Sequence, residues 1–343
     1  MLFSVQYLRG LAAILVLVYH ASHKNIQIFG YGNEWSFGAS GVDLFFIISG
    51  FIMLHVTDHR ELTARDFLIA RIARIIPLYW LLSIFACAVY FISPGRVNSS
   101  GGTTTILNSF TLIPTGSKLL IQNGWTLSYE FLFYLIFSTS LNKWCKHRLT
   151  FVTSTIFLLS TAGAIFQPIN PTLQFLTSKL LLEFQLGIFA YLYINSKFKN
   201  SFIDTILIFV GISTLAISSG SPHIENRVMQ YGLPYAMLFS GLVSADHIIK
   251  KVSTSFPGRI MKLIGDASFS IYLTHPFVLS SIGIILNRLN VKNAPVISVA
   301  IMTIASIAVG YVCFSVLERN LIHLARRITP TPNSIRGASP SRT

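Results

Sequence analysis

Among the ionisable residues in or at the edges of long apolar runs, Arg9, His20, Asp43, Arg71, Arg74, Glu130 and His275 are the ones whose types and spacing could do chemistry. A charge at the centre of a bilayer costs roughly 2.5–3.5 kcal/mol on insertion scales, so such positions are the first place to look for chemistry. Arg9 and His20 are eleven residues apart. On a helix that spacing falls about 20° short of whole turns, so they share one face about 16 Å apart along the axis. An imidazole there can act as a base near neutral pH, and a carboxylate beside it can orient the ring. Asp43, in FGASGVDLFFIISGF, is expected at a depth similar to His20 and could supply that carboxylate. The alternative is structural: Ser40 caps the helix start and Asp43 completes the cap.

In LIARIARIIPLYW, Arg71 and Arg74 are three residues apart and share a helix face. Anchoring at the cytoplasmic end of a span explains them without function. Guanidinium forks also suit phosphate, and with Arg9 at the same depth the three would suit a cytosolic nucleotide. The run NGWTLSYEFLFYLIF puts Trp125 and Tyr129 in an aromatic belt, with Glu130 just inside it. Lys179 and Glu183, one turn apart, are expected to neutralise each other. His275 sits near mid-membrane beside the kink-prone Pro276, and Glu318 with Arg319 reads as a helix-end anchor.

The elements that position these groups follow from composition. With 52% hydrophobic and 11% charged residues and a mean hydropathy of +0.62, the chain is too apolar to be soluble at this length. Only helices satisfy their backbone internally in hydrocarbon, so the fold class is all-α, a polytopic membrane protein of about ten transmembrane helices. The expected spans are 5–22, 38–56, 74–93, 125–141, 150–167, 173–194, 202–219, 229–247, 267–287 and 294–317.

The net charge of +14 does not mark nucleic-acid binding, because the Lys and Arg residues fall between spans. They concentrate in alternate connections, 57–74, 142–149, 195–201, 248–266 and beyond 318, while the other set is poor in them. The richer side is cytoplasmic, which puts both termini inside.

Residues 1–325 read as one integral-membrane domain and 326–343 as a disordered basic cytoplasmic tail. The longest external connection, 94–124, carries Ser99-Ser100-Gly101-Gly102 and then an apolar stretch from Ile106 to Pro114, too short to span and expected at the interface. Cys87, Cys145 and Cys313 form neither a disulfide framework nor a metal site. The first apolar stretch fits an uncleaved signal-anchor helix better than a signal peptide, since Arg9 lies inside it.

The segments YLRGLAAILVLVYH, GVDLFFIISGFIM, RIARIIPLYW, WTLSYEFLFY and SFSIYLTHPF, followed by the glutamate-arginine pair, resemble the membrane-bound acyltransferase 3 family, which O-acylates bacterial surface and exported carbohydrates. They occur in that family's order from Tyr7 to Arg319, and the match is nearest to its exopolysaccharide acetyltransferase branch. The resemblance implies ten membrane helices in the bacterial inner membrane and an O-acetyltransferase with acetyl-CoA (acyl-CoA) as donor co-substrate, with no permanently bound cofactor. It implies that Arg9 and His20 fill the family's arginine-ten-histidine motif, and Arg71 and Arg74 its arginine pair. The acceptor is then a carbohydrate: exopolysaccharide, O-antigen or lipid-linked oligosaccharide. Membrane lipid and polysaccharide-assembly proteins are the other expected partners, and nucleic acid is not one.

Acyl transfer from a thioester needs a site for the anionic donor, a base for the attacking hydroxyl and a polar group near the oxyanion. The expected assignment gives the donor phosphates to Arg9, Arg71 and Arg74, and proton transfer to His20 with Asp43 or Glu130 fixing its tautomer. Trp125, Ser128, Tyr129 and His275 are the expected acceptor-binding residues. A covalent acyl-histidine fits the same residues. Two other classes compete: a transporter or flippase for a glycan precursor, and an intramembrane serine protease built on Gly38-Ala39-Ser40-Gly41 with His275.

Overall fold

Within hydrocarbon the backbone can bond only to itself, and the chain answers with helices. The computed structural model describes residues 2–58, 62–97, 102–142, 145, 147–220, 226–289, 291 and 294–328. In chain order the helices are α1 (Phe3–Phe29), α2 (Gly41–Thr57), α3 (Ala64–Ile92), α4 (Pro94–Val97), α5 (Ile106–Thr111), α6 (Gly124–Thr139), α7 (Arg148–Phe166) and α8 (Pro171–Leu176). They continue as α9 (Leu181–Ile194), α10 (Ser201–Ser219), α11 (Leu233–Ser244), α12 (Asp246–Val252), α13 (Phe256–Asp266), α14 (Ser268–Arg288), α15 (Pro295–Cys313) and α16 (Arg319–Ile328). A 3₁₀ turn, Ser36–Ser40, leads into α2, and π turns at Val228–Gly232 and Phe314–Glu318 lead into α11 and α16.

The all-α polytopic expectation is borne out. Among the described residues, 8 helical stretches are long and apolar enough to cross a membrane: Phe3–Phe29, Ser36–Thr57, Ala64–Ile92, Arg148–Phe166, Pro171–Ile194, Ser201–Ser219, Ser268–Arg288 and Pro295–Ile328. The other two expected spans are helical but shorter. With 16 residues, α6 rises about 24 Å against a hydrocarbon core of about 30 Å. The second is α11, which gains length from its π turn.

Two boundaries move for identifiable reasons. α1 runs past residue 22 to Phe29, where Gly30, at φ 77°, turns left-handed and its N–H closes on the Ile26 carbonyl. α3 starts ten residues before the expected 74, because Thr63 accepts from the Asp66 N–H and donates to its carboxylate at 2.8 Å. Arg71 and Arg74 therefore lie two turns inside a helix rather than at its entrance. The final helix reaches Ile328, beyond the expected domain end at 325, and residues 329–343 lie outside the described residues, as does Ser99-Ser100-Gly101.

The chain divides into two units. The first comprises Met1–Ile52 and Glu183–Ser315. There α1 packs against the 3₁₀ turn and α11 to α15, with Leu17, Ala21, Ile271 and Met302 in the buried core. Small residues let backbones approach. A methyl group on Gly41 would come within 2.5 Å of the Ala12 carbonyl oxygen, and one on Gly50 within 2.0 Å of the Phe184 carbonyl oxygen. These contacts hold α2 against α1 on one side and α9 on the other.

The second unit comprises Met53–Leu182 and Val316–Thr343. In it α3 packs against α5, α6 and α16, and α6 against α7. The apolar stretch after residue 106 folds as α5 and docks on α3: buried Tyr79 donates to the Ser109 carbonyl at 2.6 Å, and Trp80 to the Phe110 carbonyl at 3.0 Å.

Candidate active site

α1 carries His20 to the imidazole of His275, with ring centroids 5.1 Å apart and planes tilted by 31°. Tyr19 lies on the other side at 4.8 Å. His275 is buried, and its Nδ1 lies 3.3 Å from the Ile271 carbonyl oxygen. A carbonyl only accepts, so Nδ1 carries the proton of that bond. Nearby in sequence, the exposed His23 Nδ1 lies 3.1 Å from Glu34 Oε1.

Asp43 is fully buried and engaged elsewhere. Arg227 grips it with Nε at 2.8 Å from Oδ1 and Nη2 at 2.7 Å from Oδ2, and donates from Nη2 to the Ala39 carbonyl at 2.7 Å. Its guanidinium also lies 5.9 Å from the centre of the Tyr231 ring. Among the described residues no hydrogen bond joins Asp43 to His20. Nor is the helix-start cap formed as expected: the Ser40 hydroxyl pairs with Tyr235 Oη at 2.9 Å. Among the described residues no hydrogen bond joins Ser40 to a histidine, the partner that a serine protease would need.

Arg227 was not singled out from sequence, although a signal existed. It is a solitary cation in the described part of the connection between α10 and α11, where a bound carboxylate is the simplest reason for it. Glu183 completes this cluster. It is fully buried, with Asp43 and Arg227 as its charged neighbours. Its expected neutralisation by Lys179 fails because α9 starts only at Leu181, so the two residues do not share a helix. Arg9, also in the first unit, donates from Nη1 to Gln6 Oε1 at 3.3 Å.

In the second unit α3 presents Arg71 with its guanidinium 5.7 Å from the centre of the Phe67 ring and its Nε shielded from solvent without a partner. Arg74, Glu130, Tyr134 and Arg326 are the charged or titratable groups that act on it. Glu130 accepts from the Tyr134 hydroxyl at 3.2 Å. Trp125 is exposed and meets Tyr129 edge-on at 5.8 Å, Tyr129 packs on Phe175 at 4.6 Å, and Ser128 is buried with its hydroxyl turned to the Gly124 carbonyl. The structure thus brings together His20 with His275 in the first unit, and Arg71, Arg74 and Glu130 in the second.

These helices and side chains belong to a multi-pass membrane acyltransferase. The acyltransferase 3 family model, described as an acyltransferase domain, matches residues 2–315, and the chain belongs to that family. Exopolysaccharide production protein ExoZ of Rhizobium meliloti (strain 1021) is 29% identical over 329 residues, covering 91% of this chain and 97% of the relative. Acyltransferase MdmB of Streptomyces mycarofaciens is 24% identical over 310 residues, with 80% and 78% covered. Protein 2 in the picA locus of Rhizobium radiobacter is 31% identical over 147 residues, 36% of this chain and 73% of the relative. No solved structure gives a significant match.

Proposed function

We propose that the protein is an inner-membrane O-acetyltransferase that moves an acetyl group from cytosolic acetyl-CoA to a hydroxyl of an exported or lipid-linked carbohydrate, exopolysaccharide foremost. The near full-length similarity to a protein named for exopolysaccharide production supports the acceptor class. The observation that carries the chemistry is His20, held in an intramembrane helix with its ring against buried His275.

His20 takes the proton from the sugar hydroxyl as its oxygen attacks the thioester carbonyl. The tetrahedral adduct collapses with cleavage of the carbon–sulfur bond, and the imidazolium returns the proton to the departing CoA sulfur. Arg71 and Arg74 hold the donor phosphates, for which planar guanidinium forks are suited. Asp43 fixes Arg227 within the first unit, Glu130 lies with the arginine pair, and Trp125 and Tyr129 offer an aromatic surface to the acceptor, with Ser128 buried behind them.

The test is NMR of extracellular polysaccharide from strains with and without the gene. The expected result is polymer retained and its acetyl esters lost, restored by the wild-type gene. Loss of polymer itself would indicate a flippase, and unchanged esters would exclude this acceptor.

A further inference from the structure

The amphipathic helix α16 packs along α3 in the second unit and carries Arg326 to the neighbourhood of Arg71 and Arg74. Leu321, Ile322 and Ala325 are half-buried, whereas Arg326 and Arg327 are exposed. The charges there do not balance. Arg74 and Arg326 act on Arg71 as like charges, and the one carboxylate that acts on it, Glu130, already accepts from Tyr134. Among the described residues neither Arg74 nor Arg326 makes a hydrogen bond or ion pair, and the Arg71 Nε has no partner although it is shielded from solvent. Like charges grouped without counter-charges repel, and each guanidinium brings five N–H donors in a fixed fork. Such a cluster fits a ligand with several anionic oxygens.

We infer that Arg326 completes a three-arginine phosphate site with Arg71 and Arg74, and that its ligand is the phosphorylated end of the CoA donor. This rests on the donor named in the proposed function, which placed only Arg71 and Arg74 at the phosphates. A lipid headgroup offers the same phosphate chemistry, so the experiment carries an arm for each.

Full-length protein in detergent is titrated calorimetrically with CoA, and in parallel tested for retention on phosphatidylglycerol-containing mixed micelles. Arg326→Ala lies on an exposed position of a helix, where alanine is the best helix former, so the fold is kept. The expected result is CoA affinity weakened about 10-fold, equivalent to about 1.4 kcal/mol, and more by Arg326→Glu. Arg327→Ala, about 100° further round the helix, is expected to stay within about 2-fold. Unchanged CoA affinity in Arg326→Ala, with wild-type binding intact, would overturn the assignment, as would a loss confined to the lipid arm. Wild-type protein that binds no CoA would instead defeat the donor reading, and this proposal with it.

Discussion

Arg227 and Asp43 are 184 residues apart in sequence and joined by two parallel hydrogen bonds, Nε to Oδ1 at 2.8 Å and Nη2 to Oδ2 at 2.7 Å. The two ends are unequally exposed: the Asp43 side chain is 0% accessible and that of Arg227 37%. Removing one partner therefore has different consequences from removing the other. Arg227→Ala strands a buried carboxylate and is expected to cost about 3–5 kcal/mol. Asp43→Asn leaves a guanidinium that can still reach water and should cost clearly less. Thermal unfolding in detergent checks the order, and equal losses would contradict it.

Glu183 adds a second buried carboxyl, beside Asp43, to a pair whose charges already cancel. Glu183→Gln removes the surplus carboxylate and places an amide N–H₂ beside Asp43. It is expected to unfold at the same temperature as the wild type or higher. A strong loss of stability would show that the carboxylate itself is required.

How far the sequence foretold this arrangement depended on the range of each interaction. Helical class and long spans were legible because hydrocarbon leaves the backbone no other choice, and hydropathy records that directly. α6 was also visible as a helix, though not as one of only 16 residues. Pairings were harder. Asp43 invited a local partner, either the capping geometry around Ser40 or the imidazole at similar depth, whereas its cation comes from the far side of the first unit's sequence. Lys179 and Glu183 satisfied a helical spacing rule that the late start of α9 cancels. His20 and His275 were both noted for their intramembrane position, but nothing in their spacing says that their rings meet.

The Tyr79 hydroxyl is the main tether between α3 and the short helix α5, donating to Ser109 at 2.6 Å. Tyr79→Phe keeps the ring and frees a buried carbonyl, with an expected cost of about 1–3 kcal/mol. Limited proteolysis within 102–118 should quicken in the variant while the remaining helices stay protected. Unchanged cleavage would show that the tether does not control docking.

Arg71→Ala combined with Arg74→Ala removes the guanidinium pair from α3. The expected effect is a rise in the apparent KM for acetyl-CoA by at least about 10-fold, with far less change in kcat at saturating donor. A fall in kcat at unaltered KM would place the pair at the chemical step instead.

The most direct test is a paired measurement on purified His20→Ala protein: equilibrium binding of acetyl-CoA, and transfer of radiolabelled acetyl to the extracellular polysaccharide. The account predicts donor affinity within about 2-fold of wild type and transfer reduced by at least about 10²–10⁴-fold, the scale of a lost general base. Full turnover by His20→Ala would contradict it.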